Sequence, residues 1–325
     1  MYMANIALSE TEKRILKEIT KRGMLIPENE LAKKLRINPT TLHYKIKKFE
    51  DNKIITGYRY RTDYFKMGIG NLAWVFLSLK REGAETDKSI GTLLDIPRVR
   101  RISFTTGEYD IALKIYSKNS DELYSIVDTV GKMLSGCLES IAVFNVSGRY
   151  IYHGLPVDKI DPVAALFRKE DFIDSKDRKI IDCIKRCPEI TIAELAKKIK
   201  MHKNTTYKRW KNLIKKKVIV KKSVIINPDY YPDTGSSFRA FLMIDAKKGH
   251  ANELAEYIAK KTENIHELDK TVFPSDLLML MWCKDTREFY EFENRLFNDK
   301  KIGPLINKIK SYVVVEEKTK EKGIK

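Results

Sequence analysis

The sequence predicts an α+β protein: two copies of a unit in which a helix-turn-helix (winged-helix-like) domain is followed by a βαββαβ domain. Three observations lead there. Positive charge is gathered in two separate segments. The pentapeptide Glu30-Leu-Ala-Lys-Lys34 returns as Glu194-Leu-Ala-Lys-Lys198, 164 residues later. After each basic segment the apolar spacing changes from the period of a helix to the short runs of strands.

The charge pattern sets the frame. The chain has 325 residues, 62 Lys plus Arg against 44 Asp plus Glu, and a net charge of +18. Residues 1–63 carry net +6 and residues 172–230 net +11, whereas 64–147 and 148–171 are neutral and 231–325 carry +1. A surplus of this kind points to a polyanion, nucleic acid before an anionic membrane. Its confinement to two segments excludes a diffuse membrane coat. The apolar runs Leu72–Leu77 and Leu277–Cys283 are strand length, far short of the roughly 20 residues a membrane span needs. No signal peptide stands at the N-terminus, so a cytoplasmic location is expected. Four cysteines in a chain of 325 form no disulfide framework.

The repeat extends well beyond the pentapeptide. At the same offset Thr41 falls on Thr205, Ile46 on Trp210, Phe49 on Leu213 and Ile55 on Ile219. Upstream, Leu8, Ile15, Leu16 and Ile19 align with Ile173, Ile180, Ile181 and Ile184. Downstream, Phe76, Leu77 and Leu79 align with Phe241, Leu242 and Ile244. The resulting domains are 1–63 and 172–230 (helix-turn-helix), 64–147 and 231–325 (α+β), with a linker at 148–171 marked by Gly154, Pro156 and Pro162.

In the first basic segment, Ser9 and Glu12 make a capping box before a helix with Ile15, Leu16 and Ile19 on its apolar side, ended by Gly23. A short helix after Pro27 carries Leu31, Ala32 and Leu35. Asn38 then caps a third helix, Pro39 takes its first position, and Leu42, Ile46 and Phe49 face inward. Three short helices, the last basic, are the helix-turn-helix pattern. Its outward side chains are Thr40, Thr41, His43, Tyr44, Lys47 and Lys48. In the second segment the outward set is Asn204, Thr205, Lys208, Arg209, Lys211 and Asn212, with Trp210 and Leu213 inward. An α-helix fits the major groove, short polar groups near its start approach bases, and lysines reach phosphates. The partner expected is therefore double-stranded DNA, with unlike half-sites for unlike helices. Lys47 and Lys211 should supply general affinity, Thr41 and Arg209 sequence preference. The alternative for such a trio is a protein-interaction module.

The neutral segments read as strand Leu72–Leu79, helix Asp87–Leu94, strands Val99–Thr105 and Ile111–Tyr116, helix Asp121–Leu134 and strand Ile141–Val146. The second copy reads Phe238–Ile244, Ala251–Lys260, Ile265–Thr271, Leu277–Trp282, Thr286–Phe297 and Tyr312–Val315. That order is ferredoxin-like. Open sheet faces and edges predict pairing, either as an internal pseudo-dimer or between chains as a homo-oligomer.

These residues resemble the Lrp/AsnC family of prokaryotic transcription regulators. The matches are Leu8-x6-Ile15-Leu16, Asn38-Pro39-Thr40, Ile54-Ile55-x-Gly57-Tyr58, and Thr106-Gly107-Glu-Tyr-Asp110-x-x-Leu113-Lys114. Residues 8–146 carry the full pattern and 173–315 a diverged copy. The resemblance implies an N-terminal DNA-binding domain and a dimerising domain that often binds a small amino-acid-like effector. The effector residues it implies are Gly107, Glu108, Tyr109 and Asp110; the alternative for that loop is an ordinary hairpin turn. Copy two has Phe273-Pro-Ser-Asp276 there and is expected not to bind an effector. Family members are usually single units, so a tandem departs from the pattern.

Other chemistry is sparse. The five histidines (43, 153, 202, 250, 266) show no zinc spacing with cysteines, and no phosphate-binding glycine loop or nucleophile elbow occurs. No cofactor, metal or catalytic residue is expected, and the reading is not an enzyme. Two alternatives stay open. Sirohaem decarboxylases share Lrp-like folds in paired chains; such an enzyme would need basic and tyrosyl groups gathered at the α+β interface. A co-regulator would pair with other Lrp-type chains without binding DNA.

Overall fold

The computed structural model describes residues 7–80, 90–160, 173–234, 237–261 and 264–319. Copy one runs α1 (Glu10–Arg22), α2 (Glu28–Leu35), α3 (Pro39–Asp51), β1 (Ile55–Thr62), β2 (Asn71–Leu79), β3 (Val99–Thr105), β4 (Ile111–Ser117), α4 (Ser120–Met133), β5 (Leu138–Tyr152) and β6 (Leu155–Ile160). Copy two runs α5 (Ser175–Arg186), α6 (Ile192–Lys198), α7 (Lys203–Lys215), β7 (Ile219–Ile226), α8 (Tyr231–Thr234), β8 (Phe238–Ala246), α9 (Ala251–Lys261), β9 (Ile265–Thr271), β10 (Leu277–Cys283), α10 (Thr286–Asn298) and β11 (Ile306–Thr319). The start of the helix expected at Asp87–Leu94 lies outside the described residues, as does 161–171 of the expected linker.

Two compact units form, each drawn from both copies: residues 1–63 with 172–237, and residues 64–171 with 238–325. The first unit holds both helix trios. The Ser9 capping box is made: the Ser9 N–H donates to the Glu12 carboxylate (2.9 Å) and the Glu12 N–H to Ser9 Oγ (3.3 Å). Asp174 and Asp177 repeat it on α5. Ile15, Leu16, Ile19, Leu31, Ala32, Leu42 and Phe49 are buried together, and their core is completed by Val224, Ile226 and Tyr230 from copy two. The trios are joined by an antiparallel ribbon in which β1 pairs with β7, Tyr58 opposite Val224 and Arg61 opposite Lys221. Lys221 crosses from that ribbon to the end of α1, where its ammonium donates to the Thr20 carbonyl (2.7 Å) and to that of Lys21. Gly23 makes room for it: φ is +76°, and a Cβ there would stand 2.5 Å from Lys221 Cγ.

The second unit pairs the two α+β domains within the chain. Copy one forms the sheet β5-β2-β4-β3 and copy two β11-β8-β10-β9. The long strands β5 and β11 tie the sheets together. Residues 138–145 of β5 pair with β2 and residues 146–152 with β9. Likewise 306–313 of β11 pair with β8 and 314–319 with β3. Register shifts at Val146/Gly148 and Val314/Glu316 mark where each strand changes partner, as bulges do at barrel corners. Residues 148–152 and 155–160, expected as linker, are instead strand: Gly148 pairs with Lys270 just after the bulge, Gly154 lies in the turn to β6, and Pro156 sits on β6 at the sheet edge, where no further ladder bond is required.

Strand alternation sorts the side chains. Ala73, Val75 and Leu77 face the helix layer with Leu113, Ile115 and Leu123. Leu72, Trp74 and Phe76 face inward against Phe144, Phe241, Leu278 and Tyr312. The inner layer also holds a network of charges. Lys114 pairs with Glu267, Arg101 with Glu267 (3.4 Å) and Glu317 (3.6 Å), and Arg149 with Asp269 (2.8 Å). Trp74 Nε1 donates to Asp269 (3.1 Å). All six charged side chains are at most 9% exposed. Of these six, the three cations come from copy one and the three carboxylates from copy two; Arg239 of copy two, more exposed, also lies 4.0 Å from Glu317. Burial pushes the Glu267 carboxyl up, but Lys114, Arg101 and Arg149 together bring it below the usual carboxylate range. Removing one member of a buried network leaves the others uncompensated. Glu267→Gln should therefore cost about 3–5 kcal/mol in chemical denaturation of the full chain; a loss below about 1 kcal/mol would refute the network's structural role.

Candidate nucleic-acid interface

The exposed faces of α3 and α7 are built from the caps outward. Asn38 Oδ1 accepts from the Thr40 N–H (2.8 Å) and starts α3; in α7 His202 Nδ1 accepts from the Asn204 N–H (3.3 Å). Leu42, Ile46 and Phe49 turn into the core of the first trio, and Thr206 and Leu213 are buried at the corresponding places of α7. On α3 this leaves Thr40, Thr41, His43, Tyr44 and Lys47 exposed, Tyr44 at 63%. On α7 Asn204, Thr205, Lys208, Lys211 and Asn212 are exposed. Helical spacing places Thr40, Tyr44, Lys47 and Asp51 on the centre line of one face. The centre line of the other carries Asn204, Lys208, Lys211 and Lys215. Asp51 and Lys215 are both exposed; Lys215, with Lys216 and Lys217, reads from the sequence as added phosphate reach or a solvated turn, whereas Asp51 went unread. They put an acid on one helix where the other has a base.

Three side chains sit differently from their sequence reading. Arg209 is turned onto the start of α5, 2.8 Å from Asp174 and 2.9 Å from Asp177. Lys48 is 3.2 Å from Glu12, beside Lys45 at 2.9 Å. Both therefore lock their third helix to their first, and Arg209 is engaged within the protein rather than projecting as a base reader. The two locks correspond under the repeat, Glu12 to Asp177 and Lys45 to Arg209, a covariation of charge type that would have disclosed them. Trp210 is half-buried, outside the core; its ring lies 6.4 Å from that of Tyr207. Thr206, which corresponds to Leu42, is buried.

A groove of about 790 Å³ runs beside α3, lined by His43, Lys47 and Glu50, by Thr56 and Tyr58 of β1, and by Glu189 and Lys222. His43 thus lies on the flank of the exposed face, 3.2 Å from Glu28.

The Gly107–Asp110 loop is the tip of the β3–β4 hairpin. Gly107 has φ +113°, and Tyr312 lies against it. Glu108 is held by Lys310 (2.7 Å) and by the Tyr312 hydroxyl (3.2 Å). Lys310 holds the Glu108 carboxyl below its usual range. Asp110 accepts from the Leu79 N–H (2.7 Å), and Tyr109 packs between Phe76 and Tyr312. Both carboxylates that the resemblance offers to an ammonium already have partners inside the chain. In copy two Asp276 accepts from the Ala246 N–H (2.8 Å) in the same way, while Phe273 at the tip is 73% exposed.

A winged helix-turn-helix DNA-binding model matches residues 8–56 and 173–220. An uncharacterised HTH-type transcriptional regulator of Pyrococcus furiosus is 33% identical over 123 residues, 37% of this chain and 80% of that protein. The regulatory protein AsnC of Haemophilus influenzae is 29% identical over 122 residues, 38% of this chain and 80% of its own. Among solved structures, the siroheme decarboxylase NirDL with an iron-uroporphyrin III analogue matches 97% of this chain and 93% of that chain, with a TM-score of 0.59 and 16% identity. At that identity the likeness establishes a shared fold.

The helix locks make a pH prediction. Lys45, outweighing burial and helped by Ser9 and Lys48, holds the Glu12 carboxyl at about 2. Its folded pKa lies below the unfolded value, so its stabilisation is present above pH about 4.5 and is lost as pH falls towards 2. Thermal denaturation between pH 2 and 6 should show this loss. Glu12→Gln should remove that part of the pH dependence and cost about 1–3 kcal/mol at neutral pH. An unchanged acid profile in the variant would show that Glu12 does not carry it.

Proposed function

The chain belongs to the Lrp/AsnC family of helix-turn-helix transcription regulators, and from that premise we propose that one chain carries both readers of a two-part operator. One observation supports this above the others. The two trios share a compact unit, fastened by the β1–β7 ribbon, and both third helices keep an exposed polar face. In this reading Thr40, Thr41 and Tyr44 approach bases in one half-site, with Lys47 on the backbone. Asn204, Thr205 and Asn212 do so in the other, with Lys208, Lys211 and Lys215 on phosphates. The half-sites differ because the faces differ, and the second supplies more of the sequence-independent grip. His43 and Lys48 contribute from the flanks of α3, and Arg209 through the position it gives α7. An amino-acid-like effector at Gly107, Glu108, Tyr109 and Asp110 belongs to the same reading; its ammonium would replace Lys310 at Glu108.

The test is operator binding by the full chain, on fragments selected from a genomic pool, over a series of salt concentrations. Lys211→Ala with Lys215→Ala should reduce the slope of log affinity against log salt by about 2 and weaken all sequences alike. Thr40→Ala with Asn204→Ala should reorder the preferred sequences. Retention of DNA that ignores salt, or none at all, would sink the reading.

A second reading rests on one observation. The α+β unit gathers Lys114, Arg101, Arg149, Tyr116 and Tyr152 in its interior, the kind of cluster a sirohaem decarboxylase would need. Titration of the full chain with sirohaem separates the two. A shifted visible spectrum at one equivalent, with no DNA retained, would favour the enzyme; an unshifted spectrum would remove it.

A further inference from the structure

Two backbone irregularities converge on two histidines that lie 113 residues apart in sequence. The first is the turn from β5 to β6. His153 has φ +52° and is followed by Gly154 at +76°. Non-glycine residues seldom occupy this left-handed region, and when they do the side chain's direction is commonly the reason. The Gly154 N–H donates to the His266 carbonyl (2.9 Å), which pins the turn to β9. The second irregularity is in β9 itself. Its register against β10 shifts between Ile265 and Glu267. Ile265 and Leu268 both face the helix layer. Strict alternation would send His266 and Glu267 to opposite faces; the shift lets both reach one place.

The result is a compact donor set. His153 Nδ1 lies 3.1 Å from His266 Nε2. One potential ligand atom from each of His153, His266 and Glu267 falls within 4.8 Å of the others. All three residues are buried, at 5%, 9% and 1% exposure. The rings are held: His266 stacks on Trp282 at 3.9 Å and 7°, and Tyr152 packs on His153 at 4.0 Å. Two imidazole nitrogens bound to one tetrahedral metal at about 2.0–2.1 Å stand about 3.3–3.4 Å apart, close to the separation found. Glu267 Oε1 is buried and has no hydrogen-bond partner, although Arg101 faces it at 3.4 Å.

The geometry points to a binding site for a divalent first-row transition metal, with His153 and His266 as nitrogen ligands, Glu267 Oε1 as the oxygen ligand, and at least one coordination position left for water or an exogenous ligand. Two imidazoles and one carboxylate suit zinc, cobalt or ferrous iron, and leave magnesium and calcium, which prefer all-oxygen sites, without a match. Lys114, Arg101 and Arg149 also surround Glu267. Their charge opposes a dication and limits its affinity. The site shares no residue with either third helix or with the Gly107–Asp110 loop.

The test uses the full chain, freed of metal with a chelator and titrated with Co2+ by visible absorption and with Zn2+ by calorimetry. One equivalent should bind. Uptake should be lost in His153→Gln and in His266→Gln, and kept in His43→Gln and His250→Gln, whose imidazoles form exposed pairs with Glu28 and Glu253. If the buried variants do not fold, the unaltered protein decides by NMR: Co2+ should shift two buried imidazole spin systems of the five histidines. No uptake, uptake kept in both buried variants, or shifts confined to the exposed imidazoles would overturn the site.

Discussion

The α+β unit depends on the way charge is divided between its halves. Arg101, Lys114 and Arg149 all come from the first copy, and Glu267, Asp269 and Glu317 all from the second. A carboxylate or ammonium taken from water into such an interior is tolerated only with its partner in place. Pairing a first-copy domain with another first-copy domain would bury cations against cations. Pairing two second-copy domains would do the same with carboxylates. The mixed pair sets three buried cations against three buried carboxylates, and the tandem chain supplies it. Apolar contacts such as Trp74 against Phe241 strengthen the union without choosing the partner.

The same asymmetry runs through the hairpin tips. Glu108 of copy one is fastened by Lys310 of copy two, whereas the equivalent tip in copy two presents Phe273 to solvent. The fold keeps an approximate twofold plan in its backbone, seen in the exchange of β5 and β11. Its side chains have departed from that plan at the tip, in the ionic network and in the third helices. Duplication releases each half from having to complement itself, so each can specialise towards the other.

Much of this was legible in the residues. The capping box at Ser9, the Pro39 start of α3 and the apolar rhythm of both trios are local signals, and the helices form where those signals stand. The strand order was readable for the same reason. What escaped reading depends on distant partners. Gly148, Gly154 and Pro156 have linker composition, yet β5 continues through them because β9 offers its edge. The neutral charge of residues 64–147 gave no sign that Lys114 and Arg101 were buried. Arg209 looked like a base reader because its neighbours on α7 are exposed, and only the nearness of Asp174 and Asp177 turns it aside. At the candidate interface, helix faces were accessible to periodicity, whereas individual side chains were settled by what lay one helix away.

The pairing of β1 with β7 has a consequence for dosage. A regulator assembled from separate chains loses its second reader on dilution, because the pair forms by association. Here the two helix trios are joined when the chain folds, and each brings the other at a local concentration fixed by the chain. Occupancy of a two-part site should then follow the first power of protein concentration, down to levels at which a dissociable pair would have come apart. On the proposed reading, two unlike half-sites would always be met by one reader of each kind, in a ratio that synthesis cannot alter.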